Sequence, residues 1–379
     1  MKIMIKVAQG MLGKEELDAV RQAFDYGYFG HAHYVEAFEH EIAKVCDVDR
    51  DMVAVVNNGT SALFLALVAA EIGKGDEVIV PSMTFVASFQ AISLAGATPV
   101  PCDCCADDLS ADPVDIERRI TPRTKAIMPV HYCGHVCDMD AIMTLGKKYS
   151  LRVIEDAAHC FGGTYHGVKV GNYSDIACFS FDSIKVMTCG EGGAVVSHDK
   201  ELIKQIKLQR LLSMDKGKHP TAPNGVRLDY DVASLGYRCH MSNINGAIGL
   251  AQIKKLDNFI ARRREICRCY LDGMQGLPYI EFLRMDYDAM VPFMFIIRVK
   301  NGWRDDLKKY LAENDVESAI KYVPSHLLSF YQGEGGLCPV TEAAFKEILE
   351  LPLHCRLSDE DVEKVISAVK SFNCEREYK

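Results

Sequence analysis

The sequence has no apolar run near the roughly 20 residues that a membrane-spanning helix requires, and it contains a single tryptophan. Its one basic triplet, at 262–264, is interpreted as the solvated face of a helix. With a net charge of −9, no nucleic-acid-binding surface is expected. The first residues lack the apolar core and cleavage site of a secretion signal, so a cytoplasmic location is predicted.

The sequence also lacks familiar signatures of nucleotide and metal sites. The segment 58–63, which joins a predicted strand to a predicted helix, matches neither G-x-G-x-x-G nor Walker A. The fifteen cysteines are odd in number and scattered. The alternation of His131, Cys133, His135 and Cys137 offers no C-x-x-C pair with a second pair at a matching distance. We therefore expect reduced thiols and no metal site.

Short apolar runs alternate with amphipathic segments between residues 50 and 200. The strand-like runs are 53–56, 77–80, 98–101, 126–130 and 152–155, and the helical runs are 60–72, 84–94 and 139–149. This alternation predicts an α/β fold with a mostly parallel central sheet sandwiched by helices. Ligands of such sheets bind outside the carboxyl ends of the strands. Asn58, Asp156 and Lys185 fall at or just past predicted strand ends.

The length of 379 residues is too great for one compact core, so two domains are predicted. Residues 1–255 would form a large α/β domain, and residues 256–379 a smaller α+β domain. The elements predicted for this second half are a long helical stretch at 243–271, a strand at 293–299 and helices at 305–314 and 359–372. The loop 213–229, rich in Gly, Pro and Lys, is expected to be mobile or packed on a partner.

A lysine and an acid at predicted strand ends carry the chemical argument. Lys185 ends a largely apolar stretch that begins at Phe179, and a glycine-rich segment follows it. Asp156 ends a predicted buried strand, where its charge needs a cationic partner. Pyridoxal phosphate (PLP) requires a lysine for a Schiff base and an acid for its pyridinium nitrogen. The alternatives are that Asp156 caps the helix after it and that Lys185 is an ordinary surface lysine.

Other residues are candidates for contact with the cofactor, each with an ordinary structural alternative. They are His159 and Phe85 at the ring, and Gly59, Thr60, Ser61 and Ser180 at the phosphate. Glycine permits close approach, hydroxyls donate hydrogen bonds, and a helix N-terminus offers free N–H groups to an anion. The alternatives are core packing for the two rings, an N-cap for the threonine or the first serine, and a backbone hydrogen bond for the strand serine.

Six segments in order along nearly the whole chain resemble a known family. They are 58–63, 81–87, 121–127, 155–159, 180–193 and 241–244. The chain resembles the PLP-dependent sugar aminotransferases named after DegT, DnrJ, EryC and StrS, of aspartate-aminotransferase fold type I. The resemblance implies that Lys185 is the Schiff-base lysine, that Asp156 is the partner of the ring nitrogen and that His159 flanks the ring. Because Lys185 is present, the family branch that replaces this lysine by histidine and removes a 3-hydroxyl is not expected.

The resemblance further implies a homodimer whose active sites borrow residues from the neighbouring subunit. Arg238 stands where relatives often have an asparagine that reaches the partner's cofactor phosphate. His240 replaces an arginine associated with the carboxylate of the amino donor. In the segment 322–326, which resembles the family's sugar-contacting strand, Tyr322 and His326 are predicted to contact the ketosugar.

The implied reaction has two halves. L-glutamate gives its amine to form pyridoxamine phosphate and 2-oxoglutarate, and the amine then passes to a keto carbon of a nucleotide-linked 4-keto-6-deoxyhexose. The opening segments 27–30 and 38–39 resemble members that act at C4. The nucleotide (dTDP, GDP or UDP) and the stereochemistry of the sugar stay open. The alternatives are a C3-specific ketosugar aminotransferase, another fold type I PLP enzyme such as a cysteine desulfurase, and a PLP-binding regulator without turnover.

Overall fold

A computed structural model describes residues 4–222, 225–332 and 338–372. The strands in these ranges are β1 (Val53–Val56), β2 (Glu77–Pro81), β3 (Thr98–Cys102), β4 (Thr124–Ile127), β5 (Arg152–Asp156), β6 (Thr164–Tyr165), β7 (Val168–Lys169), β8 (Ile176–Ser180), β9 (Gly193–Val196), β10 (Met214–Asp215), β11 (Asp231–Val232), β12 (Ile280–Phe282), β13 (Phe295–Val299) and β14 (Ile348–Leu351). The helices are α1 (Lys14–Tyr26), α2 (His33–Cys46), α3 (Gly59–Ala69), α4 (Ala87–Leu94), α5 (Pro113–Arg119), α6 (Met139–Tyr149), α7 (Lys200–Gln209), α8 (Asn243–Ile253), α9 (Leu256–Met274), α10 (Arg304–Glu313), α11 (Pro339–Glu347) and α12 (Asp359–Lys370).

The central sheet has seven strands in the order β1-β9-β8-β5-β4-β2-β3. Only β9 runs against its neighbours β1 and β8, and the other pairings are parallel. Successive residues of β1 belong to different hydrophobic clusters, with Val53 and Val55 in one and Ala54 and Val56 in another. Because strand side chains alternate between faces, the sheet is buried on both sides. The predicted mostly parallel, two-sided sheet is confirmed.

One predicted helix proves to be two. The stretch predicted as helical from 243 to 271 is interrupted at Lys254 and Lys255, where α8 ends and α9 begins. Neither residue is a glycine or proline, so the sequence carries no local signal for this turn. The turn allows α8 to pack on α1 and α2, whereas α9 packs on α12 near the end of the chain. Tertiary packing therefore decides this break.

The C-terminal region contains a second, antiparallel sheet in the order β12-β13-β14. The N-terminal segment lies on this region, since Ile5 pairs with Val316 and the Leu353 N–H donates to the carbonyl of Val7. Residues at both ends of the chain thus meet on the same part of the molecule. The division into domains at 255/256 stays a prediction.

The loop predicted at 213–229 begins with β10, which pairs with β11 just beyond it. Val226 and Leu228 are exposed in this loop, and Leu235, just after β11, is 76% exposed. Residues 223 and 224 lie outside the described ranges. Within those ranges, no helix is both long and apolar enough to cross a membrane, and no group of three or more metal-ligating side chains is gathered to hold an ion.

Candidate active site

A cavity of about 440 Å³ lies beyond the carboxyl ends of β1, β2, β5 and β8. Eight of the residues predicted from the sequence line it: Gly59, Thr60, Phe85, Asp156, His159, Ser180, Lys185 and Tyr322. Two larger grooves, of about 700 and 610 Å³, are open depressions near Asp138 and Tyr165, and neither is lined by a lysine. The cavity at the sheet edge is therefore the candidate active site.

Asp156 is the last residue of β5, and it is buried, with 5% of its surface exposed. Its Oδ2 accepts a hydrogen bond of 2.7 Å from the hydroxyl of Ser88, and its Oδ1 accepts one of 3.2 Å from the backbone N–H of Ala158. The Ser88 hydroxyl is itself 2.8 Å from that of Thr84. These bonds orient the carboxylate at the cavity wall and leave it acceptor capacity for a further donor.

Lys185 lies in the turn that follows β8, and its amine projects into the cavity. Within the described residues it has no carboxylate at ion-pair distance, and its Nζ lies 4.4 Å from the centre of the Phe293 ring. Burial lowers the pKa of this amine to about 8, although the charges of Asp156 and Asp182 oppose the shift. About a tenth of the amine is therefore neutral, and thus nucleophilic, at pH 7.

His159 stands in a stack of aromatic rings. Its imidazole lies 4.3 Å from the Phe293 ring and 6.1 Å from the Tyr322 ring, with interplanar angles of 22° and 19°. Its Nε2 is 3.4 Å from the Tyr322 hydroxyl, whereas its Nδ1 is buried without a hydrogen-bond partner among the described residues. Burial, followed by the charges of Lys185 and Lys321, holds the pKa of His159 well below its ordinary value. The ring is therefore neutral and suited to stacking.

The other end of the cavity is the N-terminus of α3. The side chain of Asn58 caps this helix by accepting a 2.8 Å hydrogen bond from the Ser61 N–H. The first N–H groups of a helix have no partner inside it, so those of Gly59 and Thr60 are available to an anion. A Cβ at Gly59 would lie 2.7 Å from the Cβ of Ser180. Glycine is thus required for helix and strand to meet at this point.

Three predicted site residues do not line the cavity of this chain. The backbone N–H of Ser61 donates its hydrogen bond to the side chain of Asn58. His326 is buried, with Nδ1 2.5 Å from the Ser82 hydroxyl and Nε2 3.1 Å from Glu342. Both ring nitrogens therefore have partners inside the protein, and the sugar contact of His326 stays a prediction. Arg238 is exposed at the surface beside the residues that precede α3, where the Asn57 N–H bonds the carbonyl of Cys239.

Several residues at the site were not predicted from the sequence. They are Thr84, Asp182, Glu191 and Lys321, which line the cavity, and Ser88 and Phe293, which contact Asp156 and Lys185. Asn58 was placed at this edge of the sheet from the sequence, and its role as N-cap also had a usable signal, because asparagine before a helical run is a preferred N-cap. Lys321 and Phe293 had none, since they come from the C-terminal region, more than 100 residues from Lys185 along the chain.

The residues present fit PLP. One cavity combines an amine that has no ion-pair partner among the described residues, a carboxylate with spare acceptor capacity, a neutral imidazole suited to stacking and a glycine-lined helix N-terminus. These groups match the aldehyde, the ring nitrogen, the ring face and the phosphate of the cofactor, respectively.

Comparison with known proteins decides the family. The sequence profile of the DegT/DnrJ/EryC1/StrS aminotransferase family matches residues 11–370. The chain belongs to this family. It is 35% identical over 372 residues to the spore coat polysaccharide biosynthesis protein SpsC of Bacillus subtilis, covering 96% of this chain and 95% of that protein. It is 36% identical over 376 residues to GDP-perosamine synthase of Caulobacter vibrioides, covering 96% and 97%.

A solved structure of the family supports the fold and the cofactor. The putative sugar aminotransferase Spr1654 of Streptococcus pneumoniae, in its PMP form, superposes with a TM-score of 0.89 at 29% identity, covering 97% of each chain. The same protein is also known in a PLP form. The fold is therefore that of the fold type I PLP enzymes, and the protein is a PLP-dependent sugar aminotransferase.

Proposed function

We propose that the protein transfers the amino group of L-glutamate to C4 of a nucleotide-linked 4-keto-6-deoxyhexose. The observation that carries the proposal is the single cavity shared by Lys185, Asp156 and the N-terminus of α3. The similarity of the chain to GDP-perosamine synthase, a 4-aminotransferase, favours amination at C4 over C3. The similarity to SpsC agrees with a role in bacterial surface polysaccharide biosynthesis.

The residues at the cavity that carry the chemistry each have a part in this proposal. When bound, PLP supplies an aldehyde that takes up an amine and a ring that accepts electrons. Lys185 holds the cofactor and later, as a free amine, removes and returns a proton at the substrate carbon. Asp156 binds the ring nitrogen, and Ser88 keeps the carboxylate oriented. The N–H groups of Gly59 and Thr60 hold the phosphate.

The neutral ring of His159 packs against the cofactor ring, where a cation would oppose protonation of the ring nitrogen. Phe85, 54% exposed at the cavity mouth, flanks the same space. Its ring is 5.6 Å from that of Tyr322. These two aromatic side chains narrow the opening and shield the reacting atoms from water.

A panel of ketosugars tests the substrate. Protein loaded with PLP is incubated with L-glutamate and with 4-keto- or 3-keto-6-deoxyhexoses linked to dTDP, GDP or UDP, and the products are identified by mass and NMR. A 4-amino sugar from one carrier supports the proposal. A product aminated only at C3, or no product from any sugar, would overturn it. Lys147→Ala, which removes an exposed lysine of α6, is the matched control for variants of Lys185.

We further propose that the enzyme is a homodimer in which Arg238 completes the phosphate site of the partner subunit. Arg238 is exposed, and large apolar side chains are exposed on the segment beside it. Tyr230 is 47%, Val232 57% and Leu235 76% exposed, which is unusual for a surface that faces only water. An arginine is well suited to bind a phosphate.

Complementation between two inactive variants tests this arrangement. Lys185→Ala and Arg238→Ala chains are expected to be inactive alone and to regain activity when mixed and allowed to exchange subunits. In the mixed dimer, one site combines an intact Lys185 with an intact Arg238 from the other chain. If mixed dimers form but stay inactive, or if the protein is a monomer by light scattering, the shared site is rejected.

A further inference from the structure

A second lysine faces the cavity. Lys321 lines it together with Lys185, although it comes from the C-terminal region. Two backbone hydrogen bonds between Ala319 and Glu350, of 3.2 and 2.7 Å, fix the chain beside it. The hydroxyl of Tyr132 donates to the Lys321 carbonyl. The position of Lys321 is thus set by the fold.

Among the described residues, the ammonium group of Lys321 has one carboxylate partner. Its Nζ lies 3.0 Å from Oε2 of Glu350, a carboxylate that is 2% exposed. This oxygen has no hydrogen bond of good geometry within the described residues. Burial raises the pKa of Glu350 even though Lys321 opposes the shift. An ammonium group has three N–H donors, so Lys321 can bind a second anion while it remains close to Glu350.

The charge of Lys321 acts at the reaction centre. Burial is the largest cause of the lowered pKa values of Lys185 and His159, and the positive charge of Lys321 is a further cause that lowers both. Among the described residues that line the cavity, the two lysines are the only cations, whereas Asp156, Asp182 and Glu191 are acids. An amino acid entering this cavity needs a cation to offset these acids at its own carboxylate.

We infer that Lys321 binds the α-carboxylate of the amino donor. This assignment rests on the proposed function and extends it to one half of the reaction. The α-carboxylate is bonded to the carbon that carries the donor's amine, so it enters the cavity beside Lys185, where the charge of Lys321 is felt. The ketosugar has no such carboxylate. Lys321 therefore serves the donor half-reaction, and Glu350 is the counter-ion that it keeps when no donor is bound.

The experiment separates the donor half-reaction from the ketosugar half-reaction. Lys321→Met removes the charge and retains much of the volume, and Lys321→Arg restores a charge. Lys300→Met is the matched control, because Lys300 makes a similar 3.0 Å ion pair, with Glu347, outside the cavity. Spectra of the PLP form give the apparent Kd for L-glutamate in single turnovers, and calorimetry gives the Kd for glutarate, which does not react. Spectra of the PMP form give the apparent Kd for the ketosugar.

Lys321→Met should raise the Kd values for L-glutamate and glutarate by about 10- to 100-fold, as expected for a lost hydrogen bond to a charged group. Ketosugar binding should be unchanged, Lys321→Arg should recover part of the loss, and Lys300→Met should behave as wild type. The apparent Kd for L-2-aminobutyrate, which has only the α-carboxylate, should rise by the same factor as that for L-glutamate. If its binding is unaffected, the assignment to the α-carboxylate is wrong.

Glu350→Gln distinguishes binding from folding. With its counter-ion neutralised, Lys321 should hold glutarate at least as tightly as in wild type. Equal losses in Glu350→Gln and Lys321→Met, or a loss confined to the ketosugar half, would overturn the inference. If wild type accepts no amine from L-glutamate, the proposed donor is wrong, and the same measurements with the reacting amino acid still test Lys321.

Discussion

The two faces of β5 carry neighbouring carboxylates with opposite surroundings. Glu155 is 1% exposed. One of its carboxylate oxygens accepts a hydrogen bond from the Ser174 hydroxyl, and the other lies 2.6 Å from Nε2 of His131. Asp156 is almost as buried, but it lies on the other face of β5, which opens on the cavity. Its carboxylate accepts hydrogen bonds from the Ser88 hydroxyl and from the backbone N–H of Ala158. Burial alone therefore does not separate a structural acid from a reactive one. The difference lies in whether the protein supplies all of the partners.

The largest effect should come from Lys185, which faces the Asp156 side of β5. Lys185→Ala is expected to abolish amino transfer, because no other described lysine except Lys321 lines the cavity. The measurement is product formation with L-glutamate, together with the visible absorbance of the loaded protein. Retained turnover would show that the cavity is not the active site. Lys147→Ala should be indistinguishable from wild type.

Asp156→Ala should lower the rate by about 100-fold or more while the protein stays folded, because a charge that supports the reacting group is lost. The rate is measured on protein saturated with PLP, and folding is checked by circular dichroism. A rate close to wild type would contradict the proposed contact between Asp156 and the ring nitrogen.

Glu155→Ala should show the reverse pattern. It leaves His131 buried without its carboxylate, and breaking a buried pair of this kind destabilises by about 3 kcal/mol. Denaturant unfolding should report this loss, whereas the folded fraction should keep most of its activity. Should this variant lose activity as completely as Asp156→Ala while still folded, the contrast between the two faces would not hold.

The pH dependence of cofactor uptake gives a smaller, graded effect. Only the neutral amine of Lys185 attacks an aldehyde, and its pKa is lowered to about 8. The rate at which cofactor-free protein takes up PLP should therefore rise about tenfold between roughly pH 7 and 9 and then level off. A rate that still climbs steeply above pH 9 would indicate an ordinary lysine. Asp156→Asn removes a charge that opposes the shift and should move this curve to lower pH, whereas Glu155→Gln should leave it in place.

The smallest effect should come from Ser88. Ser88→Ala removes one hydrogen bond to Asp156, and a bond to a charged group contributes about 1.5 kcal/mol or more. The rate should fall by about tenfold, with Ser88→Thr retaining more activity than Ser88→Ala. Rates of single turnovers with L-glutamate provide the measurement. A full rate in Ser88→Ala would mean that the Ala158 N–H alone orients the carboxylate.

Local patterns were sufficient for most of the central sheet and for half of the site. The run 139–149 coincides with α6, and the apolar run before Asp156 coincides with β5. Lys185, Asp156 and Gly59 were predicted because each interrupts an apolar pattern at a strand or helix end. By contrast, the antiparallel pairing of β9 with β1 and the break between α8 and α9 depend on packing partners that are remote in sequence.

Position in the chain also explains which site residues were missed. Ser88 looks like any helical serine until α4 brings it within 2.7 Å of Asp156. Phe293 and Lys321 belong to segments whose local sequence suggests only ordinary structure. The resemblance that suggested a sugar contact for His326 could not show that Ser82 and Glu342 are the partners of its ring nitrogens.

The order of apolar and polar residues by itself determined the α/β alternation and the placing of Lys185 and Asp156 at strand ends, because strand ends and turn residues are encoded locally. The identity of the residues in six segments determined the resemblance to sugar aminotransferases. Only the tertiary structure decided that Glu155 is enclosed and Asp156 is open, and that Lys321 joins Lys185 in one cavity. Those facts depend on contacts between different elements of the fold: His131 and Ser174 enclose Glu155, Ser88 orients Asp156, and Lys321 comes from the C-terminal region. The electrostatic surroundings of a charge are thus set by neighbours that no local pattern specifies.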